Sequence, residues 1–190
     1  MTLEPCFNDF PYLLEYPLLI DVNNVVYYHF NMYKKPQLSD ILILIDHLIR
    51  KIGFSKNNVY CICDPSLKYY IDKPNELNAL INEGLILEAP KAADEMILGF
   101  ALKYEFCFII SNDKFRDYIE QLPSRQWLED RRIPFMFIDD DVCLIPNINY
   151  SRIELLPLNI DKIKIKFDKE RTTLEVLKNI EKSQGEFDLF

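Results

Sequence analysis

A chain of 190 residues, 49% apolar and 27% charged, suits one ordinary domain with an appendage and can bury a real core. Its net charge of −8 argues against a surface that coats nucleic acid by neutralising phosphate, but not against a nuclease, because an acidic site can meet phosphate with metal charge. Only four glycines are present, too few for a Walker loop or a dinucleotide fingerprint. No apolar run approaches the roughly 18 residues of a membrane span, and the start lacks the basic residues of a signal peptide, so the chain reads as cytoplasmic with no membrane contact.

In chain order, residues 1–16 hold aromatics, prolines and scattered acids and are expected to wrap the domain. Leu18, Leu19 and Ile20 form a short apolar strand that runs into Asp21, Asn23 and Asn24. Residues 25–33 suit a short helix or a loop. From Pro36 to Ile52 apolar residues recur at helical spacing, and Gly53 stands where a helix ends. Asn58 to Cys63 is a second strand, ending in Asp64-Pro65. A loop rich in Lys and Tyr follows, holding Lys68, Tyr69, Tyr70 and Lys73. A helix over 75–82 stops at Gly84, and Leu85 to Leu87 is a third strand. Ala92 to Tyr104 is a clear helix with Asp94 and Glu95 in its first turn.

Phe106 to Ile110 is a wholly apolar strand of the type buried on both faces of a parallel sheet, and it runs into Ser111, Asn112, Asp113 and Asp117. If residues 113–117 start a helical turn, Asp113 and Asp117 share one side. A turn or helix to about Leu122 and a loop with Trp127 lead to the last core strand, Ile133 to Ile138, followed by three acids at 139–141. Strand and helix alternate, so the fold class is α/β with a mainly parallel sheet covered on both faces. In such a sheet the strand ends at Asp21, Asp64 and Asp113 share one edge, with Asp94 and Glu95 beside them. Acids gathered there without a cation repel one another, so a divalent metal is expected.

Cys6, Cys61, Cys63, Cys107 and Cys143 lack metal or disulfide spacing and read as free thiols, Cys61 and Cys63 on one face of their strand. His47, beside Asp46 and Arg50, is expected on the polar side of its helix, and His29 in packing. Asp139 to Asp141 reads as a solvated loop. In residues 151–190, Lys162 to Phe167 suggests an edge strand, and Thr172 or Thr173 a helix start.

The stretch Leu19-Ile20-Asp21-Val22-Asn23-Asn24-Val25, the start Ala93-Asp94-Glu95, the run Ser111-Asn112-Asp113-Lys114-Phe115-Arg116-Asp117 and Ile133-Pro134-Phe135-Met136-Phe137 together resemble the NYN branch of the PIN-like nucleases. The likeness is to the Regnase (MCPIP-like) endoribonuclease domain, most of all its bacterial and archaeal relatives, and covers about Tyr16 to Ile145. It implies a PIN-like three-layer α/β/α fold over 1–150, with 151–190 as a strand–helix appendage. It also implies Asp21, Asn24, Asp94, Glu95, Asp113 and Asp117 as catalytic residues, with Asp21, Asp94, Asp113 and Asp117 around Mg²⁺ or Mn²⁺. Glu95 departs from the family's usual second Asp. Ser111, Asn112, Lys114, Arg116 and Lys68 are expected to meet substrate. No CCCH zinc-finger spacing accompanies the motifs.

The activity implied is metal-dependent hydrolysis of single-stranded RNA. A non-catalytic RNA-binding or scaffold protein and the toxin of a toxin–antitoxin pair are the competing readings. A homodimer, and a protein partner docked on the C-terminal Phe-Asp-Leu-Phe, are further expectations.

Overall fold

A computed structural model describes residues 14–103, 107–139 and 141–146. The expectations for Cys6, for the first 13 residues and for 151–190 lie outside the described residues. Five strands, β1 (Leu18–Asp21), β2 (Val59–Cys63), β3 (Ile86–Glu88), β4 (Phe108–Ile110) and β5 (Arg132–Ile133), form one sheet in the order β3-β2-β1-β4-β5. Every neighbouring pair is parallel. The chain moves outward from β1 to β2 and β3, then crosses back to lay β4 and β5 on the other side of β1. The strand order therefore reverses at β1. In open parallel sheets that reversal opens a crevice beyond the carboxyl ends of the strands.

Successive strand residues point to opposite faces, and the two faces have separate cores. Leu18, Ile20, Cys61, Cys63 and Ile110 pack with Val22, Val25, Leu38, Ile41, Leu44 and Leu77. These come from α1 (Val22–Val26), α3 (Leu38–Asp46) and α4 (Pro74–Asn82). Leu19, Ile62, Leu87 and Ile109 pack with Ala93, Ile97, Leu98, Ala101 and Leu128, from α5 (Ala93–Lys103) and α6 (Arg125–Glu129). This is the three-layer α/β/α arrangement, and both faces of β1 are buried. Each large aliphatic side chain so buried contributes about 1.5–3 kcal/mol relative to exposure. Among the described residues no helix is long and apolar enough to cross a membrane, and Cys61, Cys63, Cys107 and Cys143 are free thiols.

Residues 27–34 hold the short α2 (Phe30–Tyr33), and α3 runs on into a wide π-helical turn, His47–Ile52, ended by Gly53 at φ 98. Only glycine takes that backbone without strain. Four expectations are corrected. The stretch 133–138 is not one strand: Pro134, with no N–H to give a ladder, splits it. Arg132–Ile133 ends the main sheet, while β6 (Phe135–Ile138) pairs antiparallel with β7 (Asp141–Leu144) as a separate ribbon. Trp127 lies in α6, capped by Ser124, whose Oγ accepts from the Trp127 N–H at 2.9 Å. His47 is buried, 5% exposed, because it lies one turn after Leu44 on the inward face. There its Nδ1 meets Asp141 Oδ1 at 2.9 Å, and Lys51 Nζ reaches Asp141 Oδ2 at 2.6 Å. Asp141 therefore joins the ribbon to the π-helical turn after α3 rather than lying in a solvated loop.

Candidate active site

Asp21 ends β1 and caps α1. Its Oδ1 accepts from the Asn24 N–H at 3.0 Å, and its Oδ2 accepts from the Ser111 hydroxyl at 2.8 Å. Only 3% of the residue is exposed. Burial pushes its pKa up from 3.8 to about 7, the charges of Asp94 and Asp113 add to the rise, and the two hydrogen bonds oppose it.

The residues after β4 are arranged by Ser111. Its single hydroxyl hydrogen goes to Asp21, while its oxygen accepts from the Asp113 N–H at 3.0 Å. Asp113 Oδ1 then accepts from the Phe115 N–H at 2.8 Å, a local turn that short acidic side chains favour. Phe115 sits at φ 46. That left-handed backbone is strained for an aromatic residue, and the burial of its ring holds it there. The expected helical turn from 113 is thus a loop. The 3₁₀ turn begins only at Arg116, and the charges of Asp113 and Asp117 both add to the raised pKa of Asp94.

Asn23 and Asn24 reach in opposite directions from the start of α1. Asn24 Oδ1 accepts from the Asn112 N–H at 2.8 Å. Asn112 in turn holds the backbone of Phe135 twice, donating from Nδ2 to its carbonyl at 2.9 Å and accepting its N–H on Oδ1 at 3.0 Å. On the other side, Asn23 Nδ2 donates to Asp64 Oδ2 at 3.0 Å, and Asn23 Oδ1 accepts from the Asp64 N–H at 2.8 Å. Asp64 Oδ1 accepts from the Ala93 N–H at 2.7 Å, so the end of β2 caps α5 where Asp94 begins to project. Burial pushes the Asp94 pKa up to about 6, followed by repulsion from Asp113, Asp64 and Asp117.

Glu95 stands apart from this set, paired with Lys91 at 3.2 Å. Ser111 is buried and Asn112 spends its side chain on Phe135, so both have protein partners in the positions expected to meet substrate. Lys68 is held by Glu88 at 3.0 Å. Lys114 and Arg116 are exposed. His29 contacts Asp40 at 3.0 Å and packs against Phe137.

A family model, the Zc3h12a-like ribonuclease NYN domain, matches residues 15–154. The chain belongs to that family. No curated protein matches it. Two solved structures of nuclear protein-only RNase P 2 from Arabidopsis thaliana share the fold of this NYN domain, each with a TM-score of 0.54. They are 22% and 23% identical to the chain over 74% and 75% of its length, and the chain spans about a third of theirs, 32% and 33%.

A divalent ion is what the acids of this NYN domain imply, and its donor set can be tested for one. Among the described residues no three His, Cys, Asp or Glu side chains form a ready-made cage. Carboxylate oxygens are nonetheless the donor type that a hydrated divalent ion takes. Mg²⁺ takes hard oxygen ligands, binds through one or two carboxylates and keeps several waters. The charges acting on Asp94 are all negative, and Asp21 and Asp94 both carry the repulsion that a cation would relieve. Sequence reasoning left Asp64 undecided and gave Asn23 no role. The sequence trace is a polar residue two places after the strand-ending Asp21 and a second acid just past the neighbouring strand, and only the fold brings the two together.

Proposed function

We propose that the chain is a divalent-metal-dependent endoribonuclease that hydrolyses phosphodiester bonds of single-stranded RNA, leaving 5′-phosphate and 3′-hydroxyl ends. The observation that carries this reading is the convergence of Asp21, Asp94 and Asp113 on the strand-order reversal, where the charges of Asp94 and Asp113 add to the raised pKa of Asp21 and that of Asp113 adds to Asp94's. Family membership supports a ribonuclease, and PIN-like nucleases generally work with divalent ions.

Asp21, Asp94, Asp113 and Asp117 would hold Mg²⁺ or Mn²⁺. When bound, the ion supplies an activated water and charge stabilisation at phosphorus. The chain's own residues supply position. Ser111 and the Asn24 N–H fix both oxygens of Asp21. Asp64 fixes the start of α5 and with it Asp94. The turn from Asp113 to Phe115 aims the Asp113 carboxylate. Lys114 and Arg116, exposed beside these acids, would take phosphate oxygens and so set the strand against the site. Asn24 acts through Asn112 by holding the β4 end to the β1 end, and Glu95 tunes the rim with Lys91.

The test is a cleavage assay on labelled single-stranded RNA with purified protein. Cutting with Mg²⁺ or Mn²⁺ that stops in EDTA and returns on adding metal back is expected. Metal-dependent stabilisation with no cutting would favour the non-catalytic binding reading.

A further inference from the structure

Beside the acids lies a set of aromatic rings that neither core uses. Tyr69 is 77% exposed, Tyr70 58%, Phe30 40% and Tyr27 38%. Clustered exposed apolar surface marks a binding face. The segment that carries these rings is pinned at both ends. Leu67 and Ile71 are buried, so the 3₁₀ turn Leu67–Tyr69 stands on an anchored base with Tyr69 and Tyr70 outward. Asp72 locks the far end, its N–H donating to the Pro36 carbonyl at 3.0 Å and its Oδ1 accepting from the Leu38 N–H at 2.8 Å. The Gln37 N–H donates to the Val26 carbonyl at 2.8 Å. These ties hold Tyr70, two residues before Asp72, alongside Tyr27, which follows Val26. Burial pushes the Tyr27 phenol up, and Tyr70 and Asp64 push it further, so the rings also adjoin the residue that caps α5. The Tyr27 and Phe30 rings lie 5.5 Å apart, tilted by 36°.

Resting on the ribonuclease reading above, we infer that Tyr27, Phe30, Tyr69 and Tyr70 form a stacking platform for unpaired bases of the RNA strand beside the bond that is cut. Every base presents a flat face, so aromatic platforms hold single strands without reading sequence. Duplex RNA hides those faces. The chain carries a net charge of −8, and Lys68, at 5.8 Å from the Tyr69 ring, is already paired with Glu88. Lys68 is therefore little available to the RNA backbone, and stacking supplies the affinity at Tyr69 and Tyr70. Because the loop is pinned before RNA arrives, little ordering entropy is lost on binding.

The experiment measures fluorescence anisotropy of a labelled single-stranded oligoadenylate with the full chain carrying Asp21→Asn, which binds without cutting. Tyr69→Ala with Tyr70→Ala should weaken binding by about tenfold or more. Tyr69→Phe with Tyr70→Phe should keep it near the parent value, and the salt dependence of the Ala pair should match the parent's, since no phosphate contact is lost. Both rings are exposed, so melting temperatures should not move. No measurable binding by the parent, a loss below about fivefold, or duplex oligomer binding as tightly as single strand would overturn the platform and leave the patch as a protein contact. Cleavage by the wild-type chain is scored separately. Metal-dependent cutting with no Ala effect defeats the platform alone, whereas an Ala effect without cutting defeats the nuclease reading alone.

Discussion

Asn23 and Asp64 grip each other twice, side-chain amide to carboxylate at 3.0 Å and backbone N–H to amide oxygen at 2.8 Å. The residues lie 41 positions apart. The grip joins the carboxyl ends of β1 and β2, and through Asp64 it joins the start of α5, whose Ala93 N–H is capped at 2.7 Å. Asp94 therefore takes its position from a residue two places after Asp21. Asn23→Ala should leave Asp64 half-bonded, lower stability by about 1–3 kcal/mol, and raise the metal concentration needed for half-maximal cleavage. The raised metal requirement separates positioning from simple loss of fold. An unchanged metal requirement in a destabilised variant would assign Asn23 a structural role only.

Asp21 is held at a cost to the fold. Its pKa of about 7 against an ordinary 3.8 means that burial disfavours the charged form, at about 1.4 kcal/mol per unit. Stability tied to this group is present below pH 4 and lost as pH rises through 7. Asp21→Asn keeps an oxygen for the Asn24 N–H and sheds the charge. In EDTA at pH 8 this variant should melt a few degrees above the wild type, while its cleavage falls to background. A lower melting temperature than wild type under those conditions would show that the carboxylate is not strained.

Much of this was legible. Short apolar strands ending in acids, set between helices, gave the parallel sheet and its edge, and the motif order gave the family. What escaped shares one physical cause: a partner far along the chain. His47 looked like a surface residue because its neighbours Asp46 and Arg50 are polar, but its inward position is set by helical spacing from Leu44 and made tolerable by Asp141, 94 residues away. Asn23 and Ser111 likewise reveal their work only when β1, β2 and β4 lie side by side. Local chemistry could also mislead: Pro134 broke a run whose apolar pattern alone reads as one strand.

The Asp141 junction makes a separate prediction for acid. The Lys51 ammonium, the Val142 N–H and His47 together hold the Asp141 carboxyl down at about 2, below the ordinary 3.8. Stability from this group is therefore present above pH 4 and lost as pH falls through 2. Asp141 is half exposed, so the effect is modest. Wild type should lose more stability between about pH 4 and 2 than Asp141→Asn does. Parallel acid melting curves for the two would contradict the pairing.

On the proposed function, the exposed Lys114 and Arg116 would take phosphate. Replacing both with Gln should raise KM for single-stranded RNA and flatten its salt dependence by about one to two phosphate contacts, with the melting temperature held. A fall in kcat alone, with KM and salt slope intact, would remove them from substrate binding.

The central claim is that carboxylates from β1, α5 and the β4 loop act on one divalent ion. Titrating the full chain with Mn²⁺ and following free ion by electron paramagnetic resonance tests it most directly, alongside Asp21→Asn, Asp94→Asn and Asp113→Asn. The wild type should bind Mn²⁺ and each substitution should weaken that binding by about tenfold or more, with RNA cleavage falling in step. Equal Mn²⁺ binding by all four proteins would contradict the account.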